Sequence, residues 1–295
     1  MPSRPRGSGS GPFSLSPVQR VAAHAALLIL CIPALLPLLW MVSTSLKSDA
    51  QIFPPAGQQT TVSLASMVPH PIRLENYPSA VRTVPFATYL QNTVLLCALT
   101  VIGTVLSSSV VAYGFGRLQF RGKGPLFLLM ISTLALPAQV TMVPVFALYR
   151  WLGWYGTYLP LTVPFFFAAP FYVFLLTQFL RTIPEELSEA ARIDGANEWT
   201  TFTRVILPLT KPALATCALF QFLGTWNDFF GPLLYINDPS KYTLAYGLQQ
   251  FVSAYGGKWA ELMAAATLFT LPIILLFFFA QRTFIQGIAT TGGKG

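Results

Sequence analysis

The chain has 295 residues, of which 54% are hydrophobic and only 9% are charged, and its formal net charge is +8. Soluble domains carry about 25% charged residues, so this composition excludes an ordinary soluble domain and indicates an integral membrane protein. The basic excess does not require a nucleic-acid partner, because lysine and arginine collect in the cytoplasmic loops of membrane proteins.

Six segments are long and apolar enough to cross a membrane, which takes roughly 20 apolar residues for about 30 Å of hydrocarbon. Residues 1–20, rich in Ser, Gly and Pro, are predicted to form a disordered tail. A transmembrane domain is expected over 21–285, followed by a short C-terminal tail at 286–295. The predicted spans are 21–46, 87–112, 125–149, 157–180, 212–234 and 260–281.

The distribution of basic residues predicts the orientation of these spans. Twelve of the 18 lysines and arginines fall before the first predicted span, after the last one, and in the loops 113–124 and 181–211. Because such loops stay in the cytoplasm, both termini and the 181–211 loop are predicted to be cytoplasmic.

The loop 181–211 contains half of the ten acidic residues of the chain, namely Glu185, Glu186, Glu189, Asp194 and Glu198. Pro184 and the two glutamates after it predict a helix start, and Gly195 predicts the helix end. A second short helix, ended by Pro208, completes a helix–glycine–helix hairpin. The hairpin could lie on the membrane surface or dock a protein. Its acidic character favours a protein, because surface helices usually present basic residues to anionic lipid.

The hairpin sequence EAARIDGANEWTTFTRVILP resembles the EAA loop of permease subunits of ATP-binding-cassette (ABC) importers. The matching residues are Glu189, Ala190, Ala191, Gly195, Val205, Leu207 and Pro208, with Val205 where isoleucine is commoner. The stretches PLLWMVSTSLKSDAQIFPPA, YLQNTVL, WNDFFGPLLYI and GGKG are similar to the maltose-type second permease of carbohydrate importers.

This resemblance implies an all-α membrane protein with six transmembrane helices, the type I ABC importer permease fold and an EAA coupling-helix hairpin. It implies a subunit of an ATP-driven, binding-protein-dependent importer that moves a sugar or sugar-like solute inward by alternating access in a bacterial inner membrane. The implied partners are a second homologous permease, a cytoplasmic ATPase dimer and an extracytoplasmic solute-binding protein.

In that family the hairpin docks into the ATPase. We therefore expect Glu189 to form an ion pair with the ATPase, Ala190 and Ala191 to form a close contact, and Gly195 to make the turn. Asp194 offers a second charge to a basic partner.

The sequence contains neither a G-x-x-x-x-G-K-[ST] phosphate loop nor a catalytic constellation. No enzymatic activity, cofactor or metal site is therefore expected in this chain, and ATP and Mg would bind to the partner ATPase. Two alternatives stay open: an ABC permease for a non-sugar solute, and an ATP-independent secondary transporter.

Polar residues inside the predicted spans are candidates for a translocation pathway or gate. Asp228 lies in the fifth span with Trp226 and Asn227. At mid-membrane a carboxylate costs about 2.5–3.5 kcal/mol and normally faces protein or water, but counting from residue 212 puts Asp228 about 24 Å along the helix, nearer the outer surface, where the cost is lower. It could line the pathway or lie at the membrane interface. Gln139 and Asn92 could also line the pathway, although such residues more often form hydrogen bonds between helices.

Overall fold

The computed structural model describes residues 16–53, 67–253 and 257–292, and every regular element within these ranges is helical. The α-helices, in chain order, are α1 (Pro17–Ser45), α2 (Asp49–Ile52), α3 (Asn76–Thr83), α4 (Phe86–Arg117), α5 (Lys123–Ser132), α6 (Ala138–Trp151), α7 (Leu159–Thr162), α8 (Pro170–Leu180), α9 (Glu186–Ile193), α10 (Glu198–Thr200), α11 (Leu207–Leu209), α12 (Lys211–Trp226), α13 (Phe230–Tyr235), α14 (Leu244–Ser253) and α15 (Trp259–Gly292). A π-helix over Thr201–Ile206 joins α10 to α11, and a 3-10 helix over Val163–Phe167 joins α7 towards α8.

Four helical stretches are each long and apolar enough to cross a membrane: Pro17–Ser45, Phe86–Arg117, Leu159–Leu180 and Trp259–Phe279. Two further pairs of helices pass the same test together but are sharply bent, which brings the number to six if each pair crosses once. The fold is therefore an all-α membrane protein, as the apolar segments of the sequence predict.

The third predicted span, 125–149, is not one helix. It consists of α5 and α6, which meet at an angle of 98°. Leu136 is extended at the break because the ring of Pro137 disfavours the helical conformation in the residue before it. At about 1.5 Å per residue, the 10 residues of α5 and the 14 of α6 are each too short to cross the hydrocarbon alone.

The other span boundaries also differ from the predicted ones. Helix α1 begins at Pro17, inside the predicted N-terminal tail, and α15 runs to Gly292, through most of the predicted C-terminal tail. The predicted tail before residue 16 and the last three residues of the GGKG ending lie outside the described residues. The fifth predicted span, 212–234, is interrupted after α12 at Trp226 and resumes in α13.

Helix α4 lies at the centre of the molecule, where it packs against both α8 and α12. Buried side chains form one cluster at each end of this helix. The first contains Ala80, Val84, Tyr89, Cys97, Trp226, Leu244, Phe251, Ala264 and Ala265. The second contains Ala112, Tyr113, Val173, Leu176, Leu180, Phe202, Ile206, Ala213 and Cys217. The second cluster joins the hairpin directly to three spanning helices.

The backbone between the Val163–Phe167 turn and α8 is irregular, and Ala168 has a φ of 57°. The hydroxyl of Ser107, on α4, accepts from the N–H of Ala168 at 3.1 Å, and it shares its single proton between the carbonyl oxygens of Gly103, at 2.7 Å, and Phe165, at 3.1 Å. Nearby, a Cβ at Gly103 would lie 2.7 Å from the ring of Phe166, so only glycine allows this close approach. A side chain of α4 thus contacts backbone groups just before α8 that have no partner within a helix.

Candidate functional site

The hairpin predicted from the acidic loop is present in the structure. Helix α9 ends at Ile193, and Gly195 follows with a φ of 82°, a left-handed conformation that glycine adopts without steric cost. Asn197 then begins the second arm, because its side-chain oxygen accepts a hydrogen bond from the N–H of Thr200 at 2.8 Å. The turn and the cap together fix the direction in which the two arms leave the loop.

Glu198 connects the two arms of the hairpin to α4. One carboxylate oxygen accepts from the Tyr113 hydroxyl at 2.8 Å, and the other accepts from Nε of Arg192 at 2.9 Å. The hydrogen bond to Glu198, reinforced by the carboxylate charge, raises the pKa of the Arg192 guanidinium. The carboxylate therefore holds α9, the second arm and α4 in one arrangement.

The hairpin is also anchored by apolar packing. Phe202 and Ile206, on the π-helical part of the second arm, are buried in the cluster formed with α4, α8 and α12. The ring of Phe202 lies 4.9 Å from that of Tyr113. At the start of the hairpin, just before α9, the carbonyl oxygen of Ile183 accepts a hydrogen bond from the guanidinium of Arg117 on α4 at 2.7 Å. Movement of the hairpin must therefore displace the ends of several spanning helices.

One side of the hairpin is left uncovered within this chain. Glu189, Ala190, Asp194 and Gly195 are exposed, and the side chain of Ile193 is 87% exposed. Ala191 is only 8% exposed, so the expectation that it forms a contact surface together with Ala190 is corrected. Neighbouring residues of a helix point in directions about 100° apart, and Ala191 shares the inner face with Ser188.

The second arm passes directly into the fifth span. The arm, Glu198–Leu209, and α12 meet at an angle of 76° at Thr210. Pro212 follows the bend, in the first turn of a helix where its missing N–H leaves no hydrogen bond unmade. This elbow turns a displacement of the hairpin into a displacement of α12.

Asp228 lies in the interruption between α12 and α13, past the helix end rather than within the helix. Its carboxylate accepts a hydrogen bond from the N–H of Gly231 at 2.9 Å. A Cβ at Gly231 would press on this carboxylate and approach Leu161 to 2.8 Å. The carboxylate therefore orders the start of α13, and it also lines a cavity of about 400 Å³.

The structure places the other predicted pathway residues at different sites. Trp226 is 2% exposed and donates to the carbonyl oxygen of Phe269, so it is a core residue. The Asn227 amide donates to Leu223 within its own helix. The Asn92 amide donates to the carbonyl oxygens of Ser240 and Tyr242, both at 2.9 Å, and thereby holds the 236–243 segment. The structure thus brings neither Trp226 nor Asn92 to the cavity beside Asp228.

Gln139 is exposed and lines a second hollow, of about 460 Å³, that shares Val145 and Tyr235 with the first. Sequence reasoning missed Gln221 and Thr225, which line the first cavity and lie about two turns and one turn before Asp228 in the chain. Their helical spacing with Asp228 within the fifth predicted span was the available signal. Among the described residues, no group of three His, Cys, Asp or Glu side chains is placed to hold a metal ion.

Comparison with known proteins identifies the family to which a chain with this hairpin belongs. The model of the family described as "Binding-protein-dependent transport system inner membrane component" matches residues 108–290, which include both arms and the elbow. The chain belongs to this family. The permease is 36% identical over 260 residues to the "Probable ABC transporter permease protein YurM" of Bacillus subtilis, with 88% of this chain and 83% of YurM covered.

A second relative is the "Trehalose/maltose transport system permease protein MalG" of Thermococcus litoralis. It is 30% identical over 285 residues, with 94% of this permease and 98% of MalG covered. The permease also matches a chain in the crystal structure of a bacterial ABC transporter involved in the import of the acidic polysaccharide alginate. The TM-score is 0.73 at 24% identity, and the match covers 92% of this chain and 99% of that chain. It is accordingly a multi-pass membrane protein with the ABC importer permease fold, in a family of permeases rather than of enzymes.

Proposed function

We propose that this chain is a membrane-spanning subunit of an ATP-driven, binding-protein-dependent importer of a sugar or sugar-like solute. The observation that carries the proposal is the hairpin 181–211, which is bound to three spanning helices on its inner side and uncovered on its outer side. Such a hairpin can transmit movement to the spans, and its uncovered side leaves a surface on which the protein that drives this movement can dock.

In this proposal the uncovered side docks onto a cytoplasmic ATPase subunit, which binds ATP and Mg, while this chain holds no cofactor. Glu189 supplies the charge for an ion pair, and Ala190 lets the partner backbone approach closely. Asp194 and Gly195 lie at the edge of this docking surface. Both termini and the hairpin are cytoplasmic, in keeping with the basic residues of the tails and of this loop.

Closure of the ATPase would displace the hairpin as a rigid body. The Tyr113–Glu198–Arg192 link would carry that displacement to α4, and the elbow at Thr210 would carry it to α12. Tilting of these helices changes which side of the membrane the space between them faces, which is alternating access. A second, homologous permease would complete the pathway, and an extracytoplasmic binding protein would deliver the solute.

The solute class is inferred from relatives. MalG is named as a trehalose/maltose transport permease, and nearly its whole length aligns with this chain. Together with the sequence resemblance to carbohydrate importers, this favours a saccharide over an amino acid or an ion.

Co-purification and reconstituted uptake test the proposal. The chain, expressed with its neighbouring transport subunits, is expected to purify in detergent with a second permease and an ATPase dimer. In vesicles the complex is expected to take up the solute retained by its binding protein, and only when both ATP and that protein are present. An active homo-oligomer that works without ATP would instead establish a secondary transporter.

The docking surface is tested by Glu189→Lys. Reversal of this exposed charge is expected to abolish ATPase co-purification and uptake, while the amount of chain in the membrane stays normal. The matched control is Glu75→Lys, the same charge change on an exposed residue outside the hairpin, which should leave ATPase co-purification intact. Normal co-purification by Glu189→Lys would refute the assignment of Glu189.

A further inference from the structure

The cavity of about 400 Å³ beside Asp228 has the size and lining of a small-molecule site. Ligand sites usually enclose about 300–1,000 Å³ and combine apolar walls with a few converging polar groups. Here the lining comes from α12 and α13, from α6, from the α7 segment and from Leu96 of α4. Among the described residues that line it, none is a lysine or an arginine.

Three polar side chains point into this cavity from one face of the fifth span. Gln221 is only 4% exposed, and its Nε2 donates to Oγ1 of Thr225 at 2.9 Å. The Thr225 hydroxyl also lies 2.8 Å from that of Thr100 on α4. The amide oxygen of Gln221 has no hydrogen-bond partner among the described residues, so it is available to a ligand.

Asp228 adds a fixed acceptor at the end of this row. The backbone N–H groups of Gly231 and Phe230 hold its carboxylate in place, and these two bonds use only part of the capacity of a carboxylate, which can accept about four hydrogen bonds. A carboxylate and an amide oxygen bind ligand hydroxyl groups well, because both are strong acceptors. The lack of a cationic side chain in the lining disfavours an anionic ligand.

Aromatic rings supply the other kind of surface. Tyr149 and Tyr235 line the cavity with their ring centroids 5.3 Å apart. Each ring is also held by a stacked neighbour: Tyr149 stacks on Trp154 with ring centroids 5.3 Å apart, and Tyr235 stacks on Phe146 with centroids 6.1 Å apart. Rigid aromatic faces next to hydroxyl-binding acceptors match a sugar, whose ring is apolar on its faces and polar at its edge.

We propose that this cavity is a binding site for a neutral saccharide, so that this subunit itself contacts the transported solute. Gln221 and Asp228 accept hydrogen bonds from sugar hydroxyls, and the rings of Tyr149 and Tyr235 pack against the sugar. The inference rests on the proposed function, because it gives a sugar a place along the route that the importer provides.

Saturation-transfer NMR on the detergent-solubilised complex, without the binding protein, tests the site at millimolar ligand. The probes are maltose and trehalose as neutral sugars, glucuronate as an anion and choline as a cation. A neutral sugar is expected to give a signal, and Gln221→Leu and Asp228→Asn are expected to weaken its binding at least ten-fold, since each removes one strong acceptor. Thr216→Val, which removes a hydroxyl from α12 away from the cavity, should leave binding unchanged.

A second pair of variants separates a lost ligand contact from a folding defect. Tyr235→Phe keeps the ring and should keep the sugar signal, whereas Tyr235→Ala should lose it while the subunits still co-purify. No signal from either sugar, a signal that survives the Gln221 and Asp228 changes, or a stronger signal from choline would each overturn the proposal. These outcomes are distinct from a failure of the importer function, which would appear as uptake that needs neither ATP nor the binding protein.

Discussion

Removal of the Tyr113 hydroxyl should weaken communication between the hairpin and α4. This hydroxyl donates to Glu198 at 2.8 Å, and hydrogen bonds to charged groups contribute about 1.5–3 kcal/mol. The side chain of Glu198 is 47% exposed, so solvent screening reduces the contribution of the bond to about 1 kcal/mol. A loss of this size corresponds to a roughly five-fold change in an equilibrium between two arrangements.

The assay is the ATPase rate of the reconstituted complex with and without its binding protein, measured in a double-mutant cycle. Tyr113→Phe should lower the stimulated rate roughly five-fold relative to the basal rate, and Glu198→Ala should lower it at least as much, because it also removes the bond to Arg192. The double variant should lose little more, because both changes break the same link. Tyr172→Phe is the control, since its hydroxyl forms no hydrogen bond among the described residues although its ring packs in the same cluster. Losses that multiply to about 25-fold in the double variant would refute the link.

Two further substitutions test the interior. Asn92→Leu removes two hydrogen bonds of about 1 kcal/mol each, so the 236–243 segment should exchange its amide hydrogens faster, as measured by mass spectrometry. The control Gln91→Leu should not change that rate. Equal exchange rates in the two variants would contradict the role of Asn92. Gly231→Ala places a Cβ 2.8 Å from Leu161 and against Asp228, so it should lower the melting temperature of the complex. In the control Gly224→Ala the new Cβ meets nothing within 4 Å, so the melting temperature should stay equal or rise. The opposite order of melting temperatures would contradict the close packing at Gly231.

The span count and the hairpin could be predicted from sequence because both depend on local features. Long apolar stretches identify membrane helices, and Pro184, the acidic first turn and Gly195 are signals within a single loop. The turn at Gly195 has the left-handed conformation that these signals predict.

The interruptions of the spans could not be predicted in the same way. Membrane helices tolerate proline, so Pro137 alone does not distinguish a mild kink from the 98° bend between α5 and α6. The position of Asp228 was inferred by counting along an uninterrupted helix. The helix ends at Trp226, and the segment after it packs Gly231 closely against Leu161, a contact between residues far apart in sequence.

The hydrogen-bond partners and neighbours of individual residues could not be predicted from the sequence either. Asn92 was a pathway candidate, but the carbonyl groups that it holds lie about 150 residues away in the chain. Ala191 is expected to form a close contact together with Ala190, yet the direction of each side chain depends on how α9 is rotated against the second arm, with which it packs. The helical spacing of Gln221 and Thr225 was the signal they gave, but it does not by itself indicate a cavity, because the α7 residues that line the same cavity are distant in sequence.

The hydroxyl of Ser107 restricts how the spans can move. It accepts from the N–H of Ala168 and lies within hydrogen-bond distance of the carbonyl of Phe165, so it ties α4 to the segment just before α8. A slide of α4 by one helical turn, about 5.4 Å, would carry the hydroxyl away and break both contacts. Sliding between α4 and the start of α8 is therefore costly, and these two spans should move together as one rigid body during a transport cycle.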